Sequence, residues 1–257
     1  MIKAIFVDFD WTIYSHKTHR IIPSTMLALK NARENGVKII LATGRGKSEL
    51  DMMPEYRDIH FDGFITMNGQ ILLDENEKKI KGFPFEGKLK EEIIRCFNGD
   101  ELSTVLVFEN DTIINFENSA TIKAHKEITS LEHECRPYNG EPIYLAVAFI
   151  MPEEEDELKA RLGACDFKRW SRFGVDIVPQ GIDKVTGIKF FLDKYGIKQS
   201  ECMVFGDSFN DIQMLEYAGI GVAMGNAEED VKNNADFVAQ DIDEDGLFKA
   251  LKHFKVI

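Results

Sequence analysis

The chain has 257 residues, of which 44% are hydrophobic and 29% charged, so it can bury a sizeable core as one large domain or two modest ones. Its apolar runs are shorter than the ~20 residues of a membrane span, carboxylates interrupt the apolar N-terminus, and a net charge of −13 lacks the basic excess of nucleic-acid binders. The 4 cysteines are scattered without a CxxC pair, so we expect reduced thiols. Together these features predict a cytoplasmic protein without a secretory signal and without a nucleic-acid, membrane or obligate protein partner.

The first part of the chain alternates strand and helix patterns. We predict strands over 2–9, 37–42 and 63–67 and helices over 23–35 and 47–53. The segment 37–42 is apolar and β-rich, which is typical of a strand buried on both faces. Alternating units of this kind predict a parallel sheet covered by helices.

The middle of the chain has a different pattern, with more strands than helices. We predict strands over 79–85, 104–108, 112–116, 144–151 and 167–178 and helices over 89–97, 120–131 and 153–162. This pattern indicates α+β organisation rather than βαβ units. We therefore predict an α+β domain over 83–182, inserted into a core formed by 1–82 and 183–257, with linkers near 82–84 and 179–181.

The end of the chain returns to the alternating pattern of the start. We predict helices over 184–195, 211–218, 227–234 and 246–254 and strands over 202–205, 220–223 and 236–238. The fold class is therefore α/β, a Rossmann-like parallel-sheet core with an inserted α+β domain.

The first predicted strand ends in the motif Asp8-x-Asp10-x-Thr12. Side chains two residues apart share one side of a strand, and open α/β sheets bind ligands at the carboxyl ends of their strands. Two carboxylates held close together repel each other, so such a pair usually binds a cation or shares a proton. The motif indicates a Mg²⁺-dependent carboxylate nucleophile with an acid/base partner, although such pairs also arise by chance.

Three further polar motifs follow core strands or begin a core helix: Thr43-Gly44-Arg45, Lys184, and Gly206-Asp207-Ser208-Phe209-Asn210-Asp211. Each alone has an ordinary explanation, as a strand-to-helix turn, a solvated lysine, or a turn with a helix N-cap. Because all lie at predicted strand ends or at an adjacent helix start, we expect them to form one site.

In these motifs, and in the segments 67–69 and 221–227, the chain resembles the haloacid dehalogenase-like superfamily of phosphatases, in particular its Cof-type branch. The resemblance covers nearly the whole length. It implies that the inserted domain is a cap that determines substrate specificity. It also implies a Mg²⁺ cofactor and a small phosphorylated substrate, with sugar phosphates as the leading class.

The resemblance implies a role for each motif residue. Asp8 would be the nucleophile that forms an aspartyl-phosphate, and Asp10 would protonate the leaving alkoxide and then deprotonate the attacking water. The Mg²⁺ ligands would be Asp8, the backbone carbonyl of Asp10 and Asp207. Asp211 would be an outer or alternative ligand, or a structural residue. The transferring phosphoryl group would be bound by Thr43, Gly44, Lys184 and Asn210.

Several positions keep alternatives open. Arg45 would contact the substrate near the hinge or form a salt bridge to the cap, and Asn68 and Gly69 would shape the entrance or form a plain turn. Trp11 stands where the family has glycine, so it is strained if the turn needs positive φ, or lines the substrate entrance if the turn is permissive. The 6 histidines have no metal-ligand spacing. One cap hairpin would hold a sugar ring or form cap core: Arg169, Trp170, Arg172, Phe173 and Asp176.

The favoured function is a Mg²⁺-dependent phosphatase of small phosphorylated metabolites. A phosphomutase of hexose phosphates, which would retain a bisphosphorylated intermediate, is the enzymatic alternative. A catalytically weakened sensor that binds a phosphosugar is the non-enzymatic alternative, supported by Trp11. A dehalogenase is disfavoured because a second acid suits an alkoxide leaving group, and a phospho-acceptor receiver domain would not contain so large a cap.

Overall fold

The computed structural model describes residues 1–127, 133–169 and 171–257, with the backbone alone for 125–127. The chain forms a core unit, Met1–Lys81 with Asp183–Ile257, and an inserted unit, Gly82–Ile182. The first boundary differs from the predicted one by a single residue, and the second coincides with it. Trp170 and the end of the predicted helix 120–131 lie outside the described residues.

The first segment of the core unit alternates strands and helices as expected. Its elements are β1 Ala4–Val7, β2 Tyr14–Ser15, β3 Arg20–Ile21, α1 Pro23–Glu34, β4 Lys38–Ala42, α2 Lys47–Asp51, β5 Gly63–Thr66, β6 Ile71–Asp74 and β7 Lys79–Gly82. Strand β1 is fully buried, as its run of apolar residues requires. The short β2–β3 hairpin and strand β6 were not predicted from the sequence.

The inserted unit is a six-stranded sheet with helices. Its elements are α3 Gly87–Asn98, β8 Thr104–Val107, β9 Thr112–Ile114, α4 Ser119–Glu127, β10 Glu134–Cys135, β11 Leu145–Ala148, α5 Glu155–Leu162, β12 Cys165–Arg169 and β13 Val175–Pro179. The strand order is β10-β9-β8-β11-β13-β12, and the pairs other than β10–β9 are antiparallel. Helices α3 and α5 bury Ile93, Phe97, Leu158 and Leu162 against the sheet. The α+β organisation matches the pattern of the sequence.

The second segment of the core unit completes its sheet. Its elements are α6 Lys184–Tyr195, β14 Cys202–Gly206, α7 Ile212–Tyr217, β15 Ile220–Ala223, α8 Glu229–Lys232, β16 Phe237–Val238 and α9 Gly246–His253. Within the described ranges of the two units, no helix is long and apolar enough to cross a membrane. All four cysteines are free thiols, of which Cys96 and Cys202 are buried.

The core sheet has the order β16-β15-β14-β1-β4-β5-β6-β7. Strand β1 pairs in parallel with β14 on one side and β4 on the other, with Ala4 opposite Cys202 and Lys38. The carboxyl ends of these three strands therefore meet at one edge, where the polar motifs follow. The predicted parallel α/β core is confirmed, but β6 runs antiparallel to β5, and β7, which was predicted among the strands of the middle, belongs to this sheet.

Candidate active site

Lys184 joins the first and last polar motifs. It begins helix α6, where the N-cap Asp183 accepts the Thr186 N–H at 2.9 Å and so fixes the first turn. Nζ of Lys184 donates to Oδ1 of Asp8 at 2.6 Å and to Oδ1 of Asp211 at 2.7 Å. The Lys184 side chain is 1% exposed, so it is a buried cation between two carboxylates.

Two glycines allow this close packing. Gly69 has a φ of +103°, and a Cβ on it would lie 2.0 Å from the carbonyl oxygen of Asp183. Gly206 ends β14, and a Cβ there would lie 2.5 Å from the Cβ of Asp211. A larger residue at either position would therefore displace the helix start that carries Lys184 or the loop that carries Asp211.

Asp207 lies beside the carboxylates of Asp8 and Asp211. Its Oδ1 accepts a hydrogen bond from the Thr12 hydroxyl at 2.9 Å, and its Oδ2 accepts one from the Ser208 hydroxyl at 3.1 Å. One oxygen from each of the three carboxylates lies within 4.8 Å of the other two. All three side chains are buried, so the structure brings together three of the predicted metal-binding carboxylates.

Asp211 also holds the loop that follows β14. Its Oδ2 accepts the backbone N–H groups of Asp207 and Ser208, each at 3.0 Å. With Oδ1 bound to Lys184, both oxygens of Asp211 already accept hydrogen bonds. This arrangement favours an outer-ligand or structural role for Asp211 over direct metal ligation.

Three carboxylates and one ammonium leave excess negative charge here. Burial raises the pKa of Asp8 well above its usual range, neighbouring carboxylates add to this effect, and Lys184 opposes it. Burial, with the charge of Asp211, raises the pKa of Asp207 to about 7. Burial would lower the pKa of Lys184, but the charges of Asp211 and Asp8 outweigh this and raise it. The site therefore favours a bound cation, which would offset the excess negative charge.

The Asp10 carboxylate has different partners. Nε and Nη2 of Arg45 donate to its Oδ2 and Oδ1, each at 2.8 Å, in a bidentate ion pair. Nε2 of His16 lies 2.5 Å from Oδ1 of the same carboxylate. Burial would raise the pKa of Asp10, but the hydrogen bonds and charges of Arg45 and His16 outweigh it and lower the pKa. Asp10 is therefore held as an ionised carboxylate, apart from the three-carboxylate cluster.

Neither partner of Asp10 was predicted from the sequence. The prediction for Arg45 was a substrate contact or a salt bridge to the cap, whereas the structure pairs the guanidinium with Asp10. His16 had no predicted role because its spacing matches no ligand motif. His16 follows Asp10 by a few residues and comes directly after strand β2 of the β2–β3 hairpin. A prediction of this hairpin could have indicated the contact, but strands of two residues leave little pattern in a sequence.

Trp11 occupies a turn with positive φ. Its φ is 54°, its N–H donates to the Tyr14 carbonyl at 2.8 Å, and its carbonyl accepts the Asn226 amide at 2.9 Å. A left-handed residue with a side chain costs about 1–2 kcal/mol, so the strained alternative applies. The indole is 40% exposed and lines a cavity of about 300 Å³ together with Asp207 and Phe209. The residue therefore combines a strained turn with a position beside the carboxylate cluster.

The predicted phosphoryl-binding residues after β4 and β14 gather around Asn68. The Asn68 N–H donates to the Thr43 carbonyl at 3.0 Å, and Asn68 Oδ1 accepts the Asn210 amide at 3.0 Å. A Cβ on Gly44 would lie 3.3 Å from the same Oδ1 atom. Thr43 is buried, and its hydroxyl oxygen accepts the Arg45 N–H at 3.1 Å. Asn68 is thus more than a plain turn residue, since it links two of the motifs.

The cap candidates have partners inside the inserted unit. Nε of Arg169 donates to Oε2 of Glu155 at 2.8 Å, and its Nη1 donates to backbone carbonyls of its own hairpin. Phe173 packs against a buried cluster that includes Phe149. Both contacts support the cap-core alternative for this hairpin, while Trp170 lies outside the described residues.

Comparisons with known proteins match nearly the whole chain. The sequence model of a family described as haloacid dehalogenase-like hydrolase matches residues 5–251. The putative phosphatase YkrA of Bacillus subtilis is 32% identical over 267 residues, covering 99% of this chain and 98% of that protein. Among solved structures, the phosphatase BT1666 from Bacteroides thetaiotaomicron has a TM-score of 0.90 and 32% identity, covering 100% of this chain and 96% of its own. The sugar phosphatase BT4131 has a TM-score of 0.83 and 35% identity, covering 99% of this chain and 100% of its own.

Proposed function

The chain belongs to the haloacid dehalogenase-like hydrolases, and we propose that it is a Mg²⁺-dependent sugar phosphatase that works through an aspartyl-phosphate. Its likeness to known phosphatases indicates that it hydrolyses the phosphate monoesters of small metabolites. The observation that carries the mechanism is the 2.6 Å contact between the buried Lys184 ammonium and Asp8. A cytoplasmic location, where such metabolites occur, belongs to the same proposal.

Asp8 is the nucleophile of the proposed reaction. Its free carboxylate oxygen attacks phosphorus while the bond to the leaving oxygen breaks, which divides hydrolysis into two easier steps. Lys184 holds the other oxygen and places a positive charge beside the transferring phosphoryl group. Asp211 keeps Lys184 in position from the opposite side.

The described residues fit a Mg²⁺ ion. Mg²⁺ prefers oxygen ligands, and Asp8 and Asp207 offer buried carboxylate oxygens at a site with excess negative charge. These two residues would hold the ion together with the backbone carbonyl of Asp10, while Asp211 keeps the loop in place. A bound Mg²⁺ would supply positive charge for the phosphoryl oxygens.

Asp10 is the proposed general acid and base. In the free protein Arg45 holds it ionised, so it must gain a proton before it can protonate a leaving alkoxide. A phosphate dianion arriving beside Arg45 competes for the guanidinium, which raises the pKa of Asp10 and lets it take up that proton. After the alkoxide leaves, the Asp10 carboxylate accepts a proton from the attacking water.

Thr43, Gly44 and Asn210 are the proposed phosphoryl-binding residues. Thr43 supplies a buried hydroxyl, and Gly44 supplies a backbone N–H that a ligand can approach closely. The bond from Asn210 to Asn68 supports this role because it fixes the amide in one orientation. The sugar class is supported by the likeness to BT4131, and the inserted unit would select the sugar.

Phosphate release across a panel of sugar and nucleotide monophosphates tests this function. We expect the fastest release from a sugar phosphate, a need for Mg²⁺, and no release by Asp8→Asn. The matched control is Asp62→Asn, because Asp62 is a buried carboxylate bonded to Lys38 and the Ile39 N–H. Full activity of Asp8→Asn would overturn the mechanism, and faster release from nucleotides would overturn the sugar class. Interconversion of hexose phosphates without phosphate release would indicate a phosphomutase instead.

A further inference from the structure

His16 contacts the proposed acid/base residue from the β2–β3 hairpin. Its Nε2 lies 2.5 Å from Oδ1 of Asp10. The imidazole contacts two aromatic rings, with centroid distances of 5.2 Å to Trp11 and 5.1 Å to Tyr14. Tyr14 is buried and stacks in turn on Phe9 at 5.4 Å, so the ring that supports His16 is anchored in the core unit. This packing fixes the imidazole next to Asp10.

The direction of the hydrogen bond follows from the bidentate ion pair of Asp10 with Arg45, because the guanidinium donates to both oxygens and each oxygen must therefore accept. An ionised carboxylate is an acceptor, so Nε2 of His16 must carry the hydrogen and donate it. Among the described residues, Oδ1 of Asp10 accepts hydrogen bonds from His16 and from Nη2 of Arg45, whereas Oδ2 accepts one from Nε of Arg45. The two oxygens are therefore unequal, and Oδ2 has the greater free lone-pair capacity.

We propose that His16 is a positioning residue that anchors Oδ1 of Asp10 and so presents Oδ2 for proton transfer. This role rests on the proposed function. In the first step the Oδ2–H bond breaks and its proton moves to the leaving oxygen, as the phosphorus–oxygen bond breaks and Asp8 binds phosphorus. In the second step a water proton moves to Oδ2, as the water oxygen binds phosphorus and the aspartyl-phosphate bond breaks.

His16 is needed because a phosphate can draw Arg45 away. Both Arg45 bonds go to the same guanidinium, so one competing anion weakens the hold on both Asp10 oxygens. His16 holds Oδ1 independently of that guanidinium. The carboxyl then keeps its orientation during the step in which the leaving oxygen must receive a proton.

The test compares leaving groups that differ in their need for an acid. A sugar alkoxide needs a proton to leave, whereas p-nitrophenolate is stable without one. We expect His16→Leu to lower the single-turnover rate of leaving-group release, which reports the first step alone, about tenfold for the best sugar phosphate and less than about twofold for p-nitrophenyl phosphate. His16→Gln should restore this rate to within about threefold, because its side-chain amide can donate from nearly the same place. The matched control is His60→Leu, since His60 is an exposed histidine of the core unit.

A double variant tests whether His16 acts through Asp10. Adding His16→Leu to Asp10→Asn should cause no further loss of the single-turnover rate, because the two residues act through one group. Equal losses of the single-turnover rate for both leaving groups, no loss, no rescue by glutamine, or additive losses with Asp10→Asn would overturn the positioning role. If His16→Leu does not fold, His16→Asn replaces it, because asparagine is too short to reach Oδ1. A wild-type chain without phosphatase activity would refute the proposed function and this role together, whereas the preceding outcomes refute the role alone.

Discussion

Lys184 donates a 2.6 Å hydrogen bond to Asp8 across 176 positions of sequence, and both side chains are buried. The contact depends on the parallel pairing of β1 with β14 and on the start of α6. It places a fixed positive charge beside the carboxylate that we assign as nucleophile. This ion pair therefore contributes both to the stability of the fold and to the proposed reaction.

Lys184→Met should damage both stability and activity. Removing the ammonium leaves buried carboxylates without their cation, so we expect the free energy of unfolding to fall by about 3–5 kcal/mol in metal-free buffer. The value of kcat should fall about 100-fold or more, because the phosphoryl charge loses a fixed partner. Urea unfolding and phosphate release measure the two effects. Lys3→Met is the control: Lys3 pairs with Glu201 at 2.7 Å but is 53% exposed, so its loss should cost under about 1 kcal/mol.

Gly69→Ala should displace Lys184 without touching it. The new Cβ would lie 2.0 Å from the Asp183 carbonyl oxygen at a φ of +103°, so we expect a loss of about 3 kcal/mol or more in thermal or urea unfolding, with lower kcat. Gly196→Ala is matched, because Gly196 has a φ of +63° and open space around its Cβ position. That variant should lose about 1 kcal/mol and keep its kcat. Equal effects of the two substitutions would contradict the close approach as the cause.

Mg²⁺ binding should weaken as the pH falls. Burial raises the pKa of Asp207 to about 7, so below that pH the metal must displace a proton. Competition with one proton predicts about tenfold weaker Mg²⁺ affinity at pH 6 than at pH 8, measured by calorimetry. An affinity that is independent of pH would exclude Asp207 as a ligand.

The raised pKa of Asp207 also predicts how the stability of the metal-free protein depends on pH. The unfolded chain ionises Asp207 near its ordinary pKa of 3.8, so between that value and about 7 the folded state binds more protons. Stability in EDTA should therefore fall as the pH rises through this window, and Mg²⁺ should restore it above pH 7. Asp207→Asn removes the titrating group, so its free energy of unfolding in EDTA should depend less on pH within this window.

Trp11→Gly should raise kcat or widen the range of substrates. Glycine accepts the φ of 54° without strain and removes an indole that lines the cavity beside Asp207. Trp11→Ala separates the causes, because it removes the indole and keeps the strained Cβ. We expect both variants to widen the range and only Trp11→Gly to gain stability, by about 1 kcal/mol. An unchanged substrate profile and kcat in Trp11→Gly would contradict this account.

The layout of the fold follows from the sequence because its signals are local. Alternating strands and helices predicted the parallel sheet, and α6 and β15 have the predicted bounds. Strand β6 was missed because three apolar residues and an aspartate shortly after β5 carry no sign of an antiparallel strand. The predicted strands 2–9 and 144–151 are longer than β1 and β11 by a few residues, since apolar patterns continue beyond the last ladder hydrogen bond.

The motif residues could be found in the sequence, but their partners could not. Each polar motif follows a strand or begins a helix, so its place at the sheet edge is predictable from topology. The pairing of Arg45 and His16 with Asp10 depends on the path of a turn and a two-residue hairpin, which spacing does not encode. The same holds for Asn68, where a positive φ of 53° directs the chain.

The position of the transferred phosphoryl group shows directly whether Asp8 is a covalent nucleophile. Asp10→Asn should still react with p-nitrophenyl phosphate in the presence of Mg²⁺, because p-nitrophenolate leaves without an acid, but it lacks the base for the second step. Rapid quenching and mass spectrometry of this variant should find about one phosphoryl group per chain, located on Asp8. A burst of p-nitrophenol with no phosphoryl group on Asp8, or with the group on another residue, would contradict the account.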